Sequence, residues 1–230
     1  ASGSVTAAPT IKDTTGTVFA SMLPMLLMLF LFSGCMAVAP ESIAGEKERG
    51  TIATLLVTPM KRSDLAIGKI LALALIALLS GISSALGTVL ALPKLMGAAS
   101  DQLNANGYTP ADYALLGVVI LSSVLLLITL ISLVSCFART IKEAQTAVIP
   151  LMIVVMFIGI TAMFGDGART EWFYYLIPLY NSVQCMVGIF SFDIEPALIL
   201  ATVLSNLVYT GMGVFLLTKM FNSERIMFSK

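Results

Sequence analysis

The chain has 230 residues, 58% of them hydrophobic and only 11% charged, with a mean hydropathy of +0.97. A soluble domain carries about 25% charged residues, so this composition excludes a water-soluble globular protein and a disordered one. Thirteen basic residues balance thirteen acidic ones, which leaves no cationic excess for nucleic acid, and the absence of histidine excludes Ser-His-Asp triads and histidine-ligated metal sites.

What remains is an all-α integral membrane protein. A helix needs about 20 apolar residues to cross a bilayer core of roughly 30 Å. Residues 1–17 are polar and small, carry no signal sequence and begin without an initiator Met. They read as an extracellular segment of a longer or processed protein. The first span is expected over 18–39, with Pro24 inside it. The second covers 65–92, with Lys69 near one end. The third covers 113–138, the fourth 144–164 around Pro150, and the fifth 197–218. Apolar residues surround each helix, which suits lipid better than a soluble core.

A sixth apolar stretch, 172–192, is broken by Pro178, Asn181, Ser182 and Gln184, and it opens with Trp172, Phe173, Tyr174 and Tyr175. Charge placement decides its reading. With five spans, Lys47, Arg49, Lys61, Arg62, Lys69, Arg139, Lys142, Lys219, Arg225 and Lys230 share one side, against Lys12, Lys94 and Arg169 on the other. A sixth crossing would reduce ten against three to seven against six. The positive-inside rule therefore favours five spans, an external N-terminus and a cytoplasmic C-terminus. Residues 172–192 then form a helical hairpin that either dips into the outer leaflet as a re-entrant element or lies on it.

The cytoplasmic segment 41–63 is the most informative. Glu46, Lys47, Glu48 and Arg49 alternate in sign and read as well hydrated. Gly50 can adopt the left-handed conformation that ends a helix, and Thr51 can cap the next one. The spacing predicts a short helix over 52–58 with Ile52, Leu55 and Leu56 on one face. Pro59 ends it, Lys61 and Arg62 sit among headgroups, and Ser63 can cap the second span. Such a crosswise helix is either an interfacial linker or a lever pressed into a cytoplasmic partner.

The sequence GEKERGTIATLLVTPMKRSDLAIGKI at 45–70 resembles the coupling segment of ABC-2-type transporter permeases, most of all their sodium-extrusion (NatB-like) and multidrug-export branch. IPLYNS at 177–182, one more span, and the tail KMFNSERIMF at 219–228 are similar to the way such permeases end. The resemblance covers residues 18–230. It implies a permease subunit in the plasma membrane of a bacterium, working as a homo- or heterodimer with two cytoplasmic ABC ATPases that bind ATP and Mg. It also implies outward transport of Na⁺, a drug or a peptide. ATPase coupling would then fall to Glu46, Lys47, Glu48, Arg49, Gly50, Thr51, Ile52, Leu55, Leu56 and Pro59. Two features depart from the family: its first span and extracellular segment precede the region matched here, and Ala53 stands where an acid often follows the Gly-Thr pair.

No cofactor or catalytic residue is expected on the chain itself. Gly45 to Thr51 has the glycine spacing of a phosphate loop but lacks its Lys, and Gly68-Lys69 is followed by Ile70. ATP hydrolysis therefore belongs to another chain. Cys35, Cys136 and Cys185 form no close pair, so no metal motif is visible. Small and hydroxyl residues recur in the spans, including Ser122, Ser123, Thr129, Gly211 and Ser205, and read chiefly as close-packing positions. Asn206 is the exception, because an amide within a span must find a partner. With Ser205 and Tyr209 it marks either a helix contact or a polar path. Asp166, Glu171, Asp193 and Glu195 flank the hairpin as a solvated rim or a cation vestibule. A non-transporting sensor or scaffold subunit is the rival reading.

Overall fold

The computed structural model describes residues 11–51, 64–65, 67–79, 82–83, 110–164, 168–169, 171–191 and 195–221. Helix α1 spans Ile11–Glu48. A shorter apolar helix, α2, spans Ile67–Leu79. Helices α3 (Pro110–Ser135) and α4 (Ile141–Met163) follow. A five-residue 3₁₀ segment, Trp172–Leu176, leads to α5 (Tyr180–Phe190) and then α6 (Pro196–Phe221).

The all-helical architecture expected from composition is present. Among the described residues, four helical stretches are long and apolar enough to cross a membrane: Met22–Glu48, Ala114–Ser135, Ile141–Met163 and Pro196–Phe221. The span expected over 65–92 is described chiefly as α2, and most of the rest of that range lies outside the described residues. On α2 the stripe Ile70, Leu73, Ala74 and Ala77 is buried while Leu71, Leu75, Ile76 and Leu79 are exposed. A helix apolar on both its packed and its open face belongs in an apolar solvent.

Helix α1 continues beyond the expected 39 to Glu48, straight through Pro40. Proline removes a backbone donor, and membrane helices tolerate that loss where neighbouring elements support the chain. From Met22 to Glu48 the helix is about 40 Å long at 1.5 Å per residue. It packs along α4 and α3, and α3 packs in turn along α6.

Two glycines set these separations. A Cβ on Gly159 of α4 would stand 2.8 Å from Met25 Cγ on α1, and one on Gly213 of α6 would stand 2.3 Å from Thr129 Cγ2 on α3. A side chain at either position forces the facing Met25 or Thr129, or the helix that carries it, to shift. Gly211, which sequence alone ranks equally as a packing residue, faces open space.

Helix α5 lies at the centre. It touches α1, α3, α4, α6 and the 3₁₀ segment, and every residue from Asn181 to Ile189 is buried. The stretch 172–192 thus differs from a pair of α-helical arms. Its first arm is 3₁₀, because Pro178 forces Ile177 into extended geometry (φ −76°, ψ 120°) before a full α-helical turn can be established. Leu179 then takes φ 70° and ψ −46°, a strained positive-φ conformation outside the left-handed helical region that costs a non-glycine residue about 1–3 kcal/mol. Its burial against the core holds it there.

Candidate functional site

Among the described residues, two groups of polar side chains each join several helices. The first lies where α1 ends. Glu46, Lys47 and Glu48 are consecutive, so their side chains leave the helix about 100° apart and fan toward different neighbours. Glu46 forms an ion pair with Lys69 of α2, whose ammonium also donates to Ser42 O at 3.1 Å. Both members are largely shielded, with side chains 27% and 12% exposed.

Lys47 reaches the end of α3. Its ammonium donates to the backbone carbonyl of Cys136, and Ala138 O lies 3.5 Å away. These carbonyls belong to the last turn beyond α3, where Phe137 N and Ala138 N have tightened onto Val134 O and Ser135 O. A cation there complements the negative end of the helix dipole. Glu48 reaches the start of α4, where its carboxylate accepts from the backbone amide of Ile141 at 2.9 Å. That amide has no intrahelical partner, and an anion suits the positive helix end. The same turn caps itself: Thr140 Oγ1 accepts from Glu143 N at 3.2 Å, and the Glu143 carboxylate accepts from Arg139 N at 2.8 Å.

The remaining expected coupling residues separate into two groups. Arg49 stays at the surface with Glu41, at 3.3 Å. Gly50 has φ +72°, the left-handed value expected of it, and ends α1. The Thr51 hydroxyl donates back to Glu46 O at 3.3 Å. Ile52, Leu55, Leu56 and Pro59 lie outside the described residues.

The second polar place is interior. Asn206 of α6 is fully buried. Its Nδ2 donates to Ser122 Oγ of α3 at 3.2 Å and to Ser182 Oγ of α5 at 3.0 Å, while its Oδ1 accepts from Asn181 Nδ2 at 2.9 Å. Asn181 Oδ1 accepts in turn from Ser182 N at 2.7 Å. The Ser122 hydroxyl donates to Val119 O at 2.9 Å. Three helices are thereby joined through neutral amides and hydroxyls whose donors and acceptors answer one another. Ser205 Oγ and Tyr209 OH both donate to Leu176 O, each at 3.2 Å, and tie α6 to the 3₁₀ segment. Ser205 is buried, whereas Tyr209 lies on the exposed side of α6.

Sequence reasoning named Asn206 but missed its partners. Two asparagines in apolar stretches, each needing a partner, were the available signal. It also read Glu46 to Glu48 as solvated charges, and nothing local distinguishes them from a hydrated run. Glu171 and Glu195 are exposed, and Asp166 and Asp193 lie outside the described residues. The three thiols are free and buried. Among the described residues no group of histidine, cysteine or carboxylate side chains could hold a metal ion.

The model of the ABC-2 family transporter protein family matches residues 4–219, nearly the whole chain. The chain belongs to the ABC-2 transporter family. Its four long apolar helices, with α2, accord with a multi-pass membrane location for this ABC-2 protein. It is also similar to the ABC transporter permease protein NatB of Bacillus subtilis (strain 168), at 30% identity over 199 residues, which is 83% of this chain and 50% of that protein. The chain thus spans about half the length of this curated relative. No solved structure matches it.

Proposed function

We propose that this ABC-2 family chain is the permease subunit of an ATP-driven exporter, and that a cytoplasmic ATPase on another chain supplies the energy. The observation that carries this reading is the family match along nearly all of the chain, joined to the end of α1. There a left-handed Gly50 turns the chain out of a membrane helix into the segment that resembles a coupling helix. In this reading Ile52, Leu55 and Leu56 press into a groove on the ATPase, and its closure on ATP moves the permease helices. Two permease protomers enclose the path, with the N-terminus outside and the C-terminus in the cytoplasm, the orientation that ten basic residues against three favour. The resemblance of residues 45–70 to the sodium-extrusion branch makes Na⁺ the first cargo to test, with drugs and peptides next.

The test is co-purification from membranes. The unmutated chain is expected to retain an ABC ATPase, and Leu55→Asp with Leu56→Asp is expected to release it. If no ATPase accompanies the unmutated chain, or if the double variant retains it fully, the reading is wrong. ATP-dependent efflux of radioactive sodium from proteoliposomes then decides the cargo.

A further inference from the structure

We propose that Glu46, Lys47 and Glu48 form a distributing node that passes displacement of the segment after Gly50 to α2, α3 and α4 together. The proposal rests on the permease reading above and names how that site acts on the bundle. Each of three successive residues contacts a different helix: Glu46 pairs with Lys69 on α2, Lys47 holds the carbonyl of Cys136 at the end of α3, and Glu48 holds the amide of Ile141 at the start of α4. Each contact is attractive in sign, carboxylate to ammonium, ammonium to the negative helix end, carboxylate to the positive helix end. The fan requires no flexible connection, because all three side chains leave one rigid helical turn.

The node is also joined to the segment it would obey. Thr51 lies just past the turn at Gly50, and its hydroxyl bonds to the carbonyl of Glu46 itself. Gly45, one residue before the node, lies against Ile141, where an added Cβ would meet Ile141 Cδ1 at 3.3 Å. A displacement at Thr51 therefore acts on a helix end already pressed against the start of α4 and held by charge to two other helices. Charge-assisted bonds suit this task, being roughly twice as strong as neutral ones.

Two composition-neutral exchanges separate this role from a general need for charge. Glu46→Lys with Lys69→Glu reverses one pair and keeps its attraction. Lys47→Glu with Glu48→Lys keeps every residue type and the net charge, but sets a carboxylate against the α3 carbonyls and an ammonium against the α4 amide.

The readout is a distance at the opposite end of the bundle. Spin labels on Ala114→Cys and Phe164→Cys, both exposed and near the far ends of α3 and α4, are followed in the ATPase complex before and after ATP with vanadate. The native thiols are fully buried and take no label. The unmutated chain and the Glu46/Lys69 exchange are expected to shift the distance, and the Lys47/Glu48 exchange to lose that shift while binding the ATPase equally.

An unchanged shift in the Lys47/Glu48 exchange overturns the node. So does loss of the ATPase from that variant, which would assign the residues to docking. No shift in the unmutated chain with the ATPase bound overturns the node and leaves the permease reading standing. Absence of any ATPase overturns both.

Discussion

The charged triplet at the end of α1 and the amide cluster around Asn206 solve one problem by opposite means. Apolar helices in lipid gain nothing from the hydrophobic effect on meeting, so position has to come from close packing and polar contacts. At the end of α1, full charges are used, and they sit at a helix terminus where a long side chain can still meet water. In the interior, the donors and acceptors are neutral, and the cluster closes on itself around Asn206, Asn181, Ser182 and Ser122. The charged node touches helix ends and leaves helix separations to packing. The amide node fixes the register of α3 against α6, because Ser122–Asn206 and Thr129–Gly213 share one sequence offset two turns apart. The difference teaches that depth selects the chemistry: charge at the rim for contacts able to rearrange, amide and hydroxyl in the middle for contacts that stay.

The largest effect is expected where α3 and α6 approach most closely. Gly213→Leu forces side-chain atoms into Thr129 and pushes α6 from α3, at about 3 kcal/mol. Heating the protein in detergent and measuring the surviving monodisperse fraction should show little folded material. Gly211→Ala, two residues away in open space, should be neutral or slightly stabilising, since alanine favours a helix more than glycine does. Equal losses from the two would break the claim that Gly213 sets the separation of α3 and α6.

Asn206→Leu comes next. It leaves the Asn181 amide and two hydroxyls short of partners, at about 2 kcal/mol. Adding Asn181→Leu should cost less than the sum of the two singles, and full additivity would show that the cluster is no unit.

Lys69→Met should cost less, about 1 kcal/mol, because Glu46 can regain some water at the rim. Its deficit should narrow in high salt, while that of Asn206→Leu should not. A salt response shared by both would erase the contrast between rim and interior.

Ser132→Ala should change stability least. The Ser132 hydroxyl is buried and has no hydrogen-bond partner among the described residues, so its removal leaves nothing unpaired. A loss comparable to Asn206→Leu would place Ser132 in a polar network of its own.

Much of the bundle was legible beforehand. Lengths of apolar sequence locate α3, α4 and α6 to within about three residues, and the middle of α1 but neither of its ends. Gly50 was readable as a helix end because few residues accept its φ. Other features resisted for physical reasons. Pro40 resembles a stop in any local reading, yet α1 runs through it, since contacts made farther along by Glu46, Lys47 and Glu48 hold the last turns. Gly211 and Gly213 are equivalent in composition, and only the neighbouring helix distinguishes them. The 3₁₀ arm before α5 follows from Pro178, but the complete burial of α5 does not.

The sequence by itself determined the solvent, the helical class and the turn at Gly50. Each depends on composition or on a few adjacent residues. Only the tertiary structure decided which polar groups meet: Glu48 finds Ile141 across 93 positions, and Asn206 finds Ser122 across 84. A helix that is apolar all round carries no asymmetry to say which face packs. That choice belongs to the shapes of the other helices, which no local stretch of sequence contains.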